Sequence, residues 1–160
     1  MKSLARLGLL LLLWPLAAQG RTVYHVLLHT GQGMIDPGVA AFVVRAIKDA
    51  EAGNAAAIVF DIDTFGGRVD AATVIRDAIL DADPLTIAFI HKRAISAGAL
   101  ISLACDKIAI AQGGSIGAAT AVDAATGEKA SDKVISYFRA EMRSTAERTG
   151  RDPKIAEAMV

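Results

Sequence analysis

Apolar and polar positions along the chain fall into short strand-like runs separated by helical stripes. Val23 to His29 alternates as a strand does, and Asp36-Pro37 then opens a stretch whose apolar residues from Val39 to Ala50 recur at helical intervals. Residues 55–62 form a nearly continuous apolar run, the pattern of a buried strand, and residues 69–82 return to helical spacing. The same pairing follows with a strand over 85–90, a helix over 96–105 and a short strand over 107–111. Strands alternating with helices predict an α/β domain whose strands pair mainly in parallel. Residues 112–131 read as a long loop rich in small residues, a length that in compact domains usually serves function. An amphipathic helix is expected over Ser131 to Met142, and Asp152-Pro153 signals another helix start.

The first twenty residues follow a different rule. Lys2 and Arg6 precede an apolar core from Leu7 to Leu16, and the small-residue stretch Ala17-Ala-Gln-Gly20 follows, the order of a secretory signal peptide. The core is shorter than the roughly 20 residues that span a bilayer, so cleavage after Gly20, or alternatively Ala18, is expected rather than retention as an anchor. Residues 21–160 then form one exported domain. Losing Lys2 and Arg6 and no acidic group turns 17 basic and 17 acidic side chains into 15 and 17, a net charge of about −2. That near-neutral balance, with few aromatics for base stacking, argues against nucleic acid as a partner. Cys105 is the only cysteine, so no intramolecular disulfide can form; its apolar surroundings predict a buried thiol. No later apolar run reaches membrane-spanning length.

Ser96 stands where the strand over 85–90 gives way to Ser-Ala-Gly-Ala-Leu-Ile-Ser. A serine at a strand-to-helix entry meets unpaired backbone N–H groups and the positive end of the helix dipole, which suits a nucleophile in acyl transfer. Helix capping is the commoner use of serine there. Gly66 and Gly67 occupy the turn between the strand over 55–62 and the next helix, where chain without β-carbons can approach a ligand and present N–H donors to an oxyanion. A tight turn is the structural alternative. The pair lacks the third glycine of a dinucleotide fingerprint and the lysine of a phosphate-binding loop.

An activated serine needs a base. His25, His29 and His91 all precede Ser96; the first two read as strand residues and His91 as a solvent-facing strand end. Lys133, at the start of the amphipathic helix, is the alternative, because apolar surroundings lower a lysine's pKa; solvated lysines are nevertheless common in first turns. Lys129 is its nearest rival, in the polar loop Thr126-Gly-Glu-Lys. Ser115 reads first as a turn residue. Asp61, Asp63 and Asp70 do not suggest a metal, since alternation separates neighbouring strand side chains and Asp70 fits a first helical turn; neither a metal nor a cofactor is expected.

In order along the chain, Asp63-Thr-Phe-Gly-Gly-Arg68, Ala94-Ile-Ser-Ala-Gly-Ala99, Ile110-Ala-Gln-Gly-Gly-Ser-Ile-Gly-Ala-Ala119 and Lys133-Val-Ile-Ser-Tyr-Phe138 resemble the NfeD membrane-associated serine proteases, of the Clp protease and crotonase-like superfamily. The resemblance runs from about Val23 to the end of the chain. It implies a superhelix of repeated β-β-α units with mainly parallel strands. It aligns Ser96 with the nucleophile and Lys133 with the base of a Ser-Lys dyad, and it makes Gly66, Gly67 and the N–H of Ala97 the oxyanion donors. Phe65 stands where the family usually has proline. The resemblance further implies apolar peptide substrates and a stomatin-like membrane partner; a homodimer is a further expectation for its assembly. Long members of the family continue into membrane helices and a small β-barrel, so a chain ending at Val160 is expected to be a fragment or truncated product.

Two other functions fit the same residues. An inactive scaffold would keep the fold to organise a membrane partner. An acyl-CoA enzyme of the crotonase type would use the same paired donors, but an export leader separates it from intracellular acyl-CoA.

Overall fold

The computed structural model describes residues 22–122 and 128–160; the signal-peptide expectation, and Thr126 and Gly127 of the polar loop, lie outside them. Four parallel strands lie side by side in chain order: β1 (Val23–His29), β2 (Ala57–Thr64), β3 (Leu85–Ile95) and β4 (Lys107–Ile110). A fifth, β5 (Ser115–Gly117), pairs in parallel with Arg93 to Ile95 of β3, beyond the end of β4.

The helices follow from capping and periodicity. Asp36 caps α1 (Pro37–Ala52), its carboxylate accepting the Val39 N–H at 2.8 Å with Pro37 in the first turn, and Ala40, Val43, Ile47 and Ala50 form the buried stripe. In α2 (Val69–Leu80), Ala71, Ala72, Ile75 and Ile79 play the same part. Every residue of α3 (Ala97–Ala104) is buried, so its apolar character is continuous rather than periodic. Ile135, Phe138, Met142 and Ala146 give α4 (Asp132–Arg148) its inner face, and Asp152 caps the short α5 (Pro153–Ala158).

One sheet face holds the core. Val26, Leu28, Ile58, Phe60, Ile62, Ala88 and Ile90, at even-numbered positions of β1 to β3, join the buried stripes of the helices in one cluster. Burying each of its larger side chains contributes about 1.5–3 kcal/mol. The odd-numbered positions form the other face, where Val23, His25, Leu27 and His29 of β1 and Leu85 and His91 of β3 are exposed.

The main differences from the sequence pattern lie near Ser96. β3 runs five residues beyond Ile90 because Thr64 pairs with Ala94 across a register shift, and β5 supplies the other neighbour. The polar run His91-Lys-Arg93 hid this extension, because an apolar count ends at Ile90. The loop expected over 112–131 contains β5 and a bridge between Val122 and Lys129, with the Ala130 N–H donating to the Ala121 carbonyl at 3.0 Å. Short pairings through glycine and alanine leave no hydrophobic periodicity to read.

Candidate active site

Ser96 joins β3 to α3 in a conformation L-residues seldom take, with φ 54° and ψ −113°. Its N–H donates to the Gly117 carbonyl at 2.9 Å, which anchors the turn to β5. The hydroxyl makes no capping bond, although Ser96 occupies the N-cap position of α3. The common structural use of a serine here is therefore not the one observed. Ser96 is half-buried, while Ala97 to Ala104 behind it are buried. The hydroxyl consequently stands at the positive end of an enclosed helix.

The glycine turn lies directly against it. Gly66 has φ +111°, and a β-carbon there would come within 2.7 Å of Ser96 Cβ and 3.0 Å of the Ile95 carbonyl. Gly67 is excluded from bearing a side chain by the backbone of Ile35, with which it forms a parallel bridge. In that bridge the Ile35 N–H donates to Gly66 O at 2.9 Å and the Arg68 N–H to Ile35 O at 2.8 Å. Those bonds direct the Gly67 N–H away from Ile35.

The three expected donors differ in their engagement. The Gly66 N–H donates to Thr64 Oγ1 at 3.0 Å, and that buried hydroxyl also pairs with Thr30 Oγ1 at 2.9 Å. Among the described residues, none accepts a hydrogen bond from the N–H of Gly67 or of Ala97. Gly66 shapes the turn that carries the first of these donors. Thr64 was not singled out in the sequence, yet alternation already placed it on the inner face with Ile58, Phe60 and Ile62, immediately before the glycines.

Ser96, Gly66 and Gly67 line one cleft of about 530 Å³. Its walls are mostly apolar, with Met34, Phe65, Val69, Val122 and Phe138 among them. Gly117 and Ala118, at φ 126° and 47°, bend the chain so that Ala118 to Val122 follow one side. Phe65 is 62 % exposed, and the Arg93 guanidinium sits 4.3 Å from its ring centroid. Arg93 also donates to Asp63 at 2.9 and 3.2 Å and holds that carboxyl below the usual carboxylate range.

Lys133 is exposed in the first turn of α4. It lines an adjoining depression with Val69, Asp70, Thr73, Val134 and Tyr137, and is not among the residues lining the Ser96 cleft. Val69 belongs to both depressions, and Phe138, further along α4, reaches the cleft. Lys129 is exposed at the bridge to Val122, and Ser115 is exposed on β5 outside the cleft. Cys105 is fully buried, which pushes its thiol pKa far up and leaves it unfit as a nucleophile.

The three carboxylates separate for a reason other than the one expected. Asp61 and Asp63 are two residues apart and share a sheet face, but Asp63 is held by Arg93. Asp70 is held by Arg68 at 2.6 Å, which brings its pKa down to about 2. Asp61 meets neither arginine; the chain's three histidines surround it instead.

Residues 22–160 match the N-terminal domain of the NfeD1b family. The chain belongs to that family. Over 142 residues it is 39 % identical to the membrane protein NfeD1b of Bacillus subtilis, covering 89 % of this chain and 32 % of the relative. A membrane-bound protease of Pyrococcus horikoshii, PH1510, is 36 % identical over 123 residues, covering 72 % of this chain and 28 % of that protein. The chain thus spans about a third of the length of the curated relatives it matches.

Among solved structures, two variants of the 1510-N membrane-bound stomatin-specific protease superpose with TM-scores of 0.79 and 0.80 at 32 % identity. They cover 88 % and 89 % of this chain and 70 % and 67 % of those chains. One variant carries alanine for a serine; the other carries alanine for a lysine and is in complex with a substrate peptide. ClpP1 from Listeria monocytogenes, at 22 % identity and TM-score 0.59 over 84 % of this chain and 76 % of its own, shares the fold. The chain therefore has the Clp protease-like architecture that the resemblance of its motifs implied.

Proposed function

We propose that this domain is a serine endopeptidase in which Ser96 attacks the peptide carbonyl and the N–H groups of Gly67 and Ala97 hold the resulting oxyanion. One observation carries the reading: Ser96 is fixed at positive φ against Gly66, with its hydroxyl unused as a cap at the entrance of a buried helix. Strain of this kind costs about 1–3 kcal/mol and persists where the surrounding structure imposes it, commonly at reacting groups. The similarity to a protease studied as serine and lysine variants supports the same chemistry.

Lys133 is the proposed base. Neutral at the moment of attack, it takes the Ser96 proton; the acyl-enzyme then forms and water releases the acid product. Because Lys133 lines an adjoining depression and not the Ser96 cleft, the proposed mechanism includes a shift of the first turn of α4 toward Ser96 when a peptide binds. The mostly apolar walls suit an apolar peptide segment, and the stomatin specificity of the related protease makes a stomatin-like membrane protein the proposed source of that segment. Export of the domain by residues 1–20 belongs to the same proposal.

Cleavage of apolar peptides by the wild type and by Ser96→Ala and Lys133→Ala, with circular dichroism to verify folding, tests this reading. Both substitutions are expected to lower the rate by about 10³-fold or more. Full activity in folded Lys133→Ala would remove that lysine from the mechanism. The exposure of Lys133 outside the cleft also supports a second reading, an inactive scaffold that binds a membrane partner through the same groove. A serine-reactive phosphonate separates the two: labelling of Ser96 supports the enzyme, and peptide binding without labelling supports the scaffold.

A further inference from the structure

The only three histidines in the chain, separated by as many as 66 positions, converge on one carboxylate. Strand register explains how. Asp61 of β2 lies opposite Leu27 of β1 and Phe89 of β3, so His25 and His29 fall two residues to either side of the first partner and His91 two residues beyond the second. All four side chains therefore share the face of the sheet away from the core. Asp61 Oδ1 is 2.8 Å from His29 Nε2 and 3.6 Å from His91 Nδ1, and Oδ2 is 3.4 Å from His25 Nε2. The rings of His29 and His91 meet edge to face at 5.6 Å.

Asp61 is only 8 % exposed, although it lies on the face that helices leave open, whereas the three imidazoles reach solvent. Among the described residues no lysine or arginine forms an ion pair with it; the nearby Arg93 is committed to Asp63. A buried carboxylate whose close partners are imidazoles lacks a permanent counter-charge, and neutral imidazoles supply only hydrogen bonds. A divalent cation supplies the charge and uses the imidazole nitrogens as ligands.

The spacing suits a small cation. One ligand atom from each of His29, Asp61 and His91 lies within 4.8 Å of the others. Around zinc, with bonds of roughly 2.0–2.1 Å, tetrahedral ligand atoms are about 3.3–3.4 Å apart. On the shared oxygen Oδ1, the 3.6 Å separation from His91 is close to that edge, and the 2.8 Å contact with His29 opens to it with a small side-chain rotation. We propose that His29, Asp61 and His91 bind one divalent transition-metal ion of the zinc type, with the remaining position open to water or another ligand. Each of the three ligands stands on a strand shortly before residues that line the cleft: Gly33 and Met34, Phe65 to Arg68, and Ile95 with Ser96. The ion cross-links β1, β2 and β3 at that point and stabilises the folded domain whether or not the domain cleaves peptides.

The test uses the protein without a polyhistidine tag, stripped with chelator and titrated with zinc by calorimetry and with cobalt(II) by absorption. Expected results are one equivalent bound, tetrahedral cobalt bands, and a melting temperature that rises with zinc. Asp61→Asn and the double variant His29→Ala/His91→Ala, both checked for folding, should weaken binding by more than the roughly 10–100-fold lost with an outer-sphere partner. Asp70→Asn should bind as the wild type does. Absence of saturable binding, or equal binding by the folded double variant, overturns the assignment.

Discussion

Gly66 meets two requirements at once: a left-handed φ and contact with Ser96 too close for a β-carbon. Gly66→Ala is therefore expected to cost about 1–3 kcal/mol of stability from backbone strain and to reduce peptide cleavage much more than thermal stability, because the added methyl displaces the serine. Paired melting and activity curves check this. Thr64→Val keeps the shape of the inner position but leaves the Gly66 N–H without its acceptor, and should destabilise by about 1–3 kcal/mol in denaturant titrations. Cys105 offers a pH test. Burial raises its folded-state pKa above the unfolded value, so its contribution to stability is complete below the ordinary thiol pKa and is lost as pH rises above it. The native thiol should resist alkylation at mildly alkaline pH and react once denaturant is added. Asp36, Ser96 and the glycine pair were legible at this scale because each has a local signature; the Asp63, Arg93 and Phe65 chain of contacts was not, since it joins two strands.

Among elements, the position of α4 matters most because it carries both Lys133 and Phe138. Arg76 of α2 holds it: Nε donates to Thr145 Oγ1 at 2.8 Å, Nη2 to Ser144 Oγ at 3.2 Å, and Nη1 lies 3.7 Å from Glu141. Glu141 Oε2 is buried and has no hydrogen-bond partner among the described residues. Arg76→Ala strands that carboxylate and should destabilise the domain by about 3–5 kcal/mol, whereas Arg76→Ala/Glu141→Gln should recover part of the loss. Chemical denaturation of the four-member cycle measures the coupling. The existence of α4 was legible from its stripe, but sequence spacing carries no information about which cleft its first turn faces. That depends on how α4 packs against α2 and α3, whose contacts are distant in sequence.

Across the whole molecule, the last residues support the cleft wall. Ala119 N–H donates to the Met159 carbonyl and Thr120 Oγ1 to the Val160 carbonyl, both at 2.7 Å, while Ala156 is buried in the core. Removing residues 153–160 should lower the melting temperature and loosen residues 118–122, seen as faster amide exchange there than in β2. Among the described residues no helix is long and apolar enough to cross a membrane.

Local order was determined by the sequence alone. Alternation, helical stripes, capping residues and glycine placement act over a few neighbouring positions, so the strand and helix succession and the Ser96 and Gly66 turns could be read from it. Tertiary structure decided what converges. Parallel register brought three histidines onto Asp61, chain pairing carried β3 past its apolar run, and interhelical packing set Lys133 beside the cleft rather than in its lining. Those outcomes depend on contacts between distant segments, whose relative placement is governed by the shared core and not by any local residue preference.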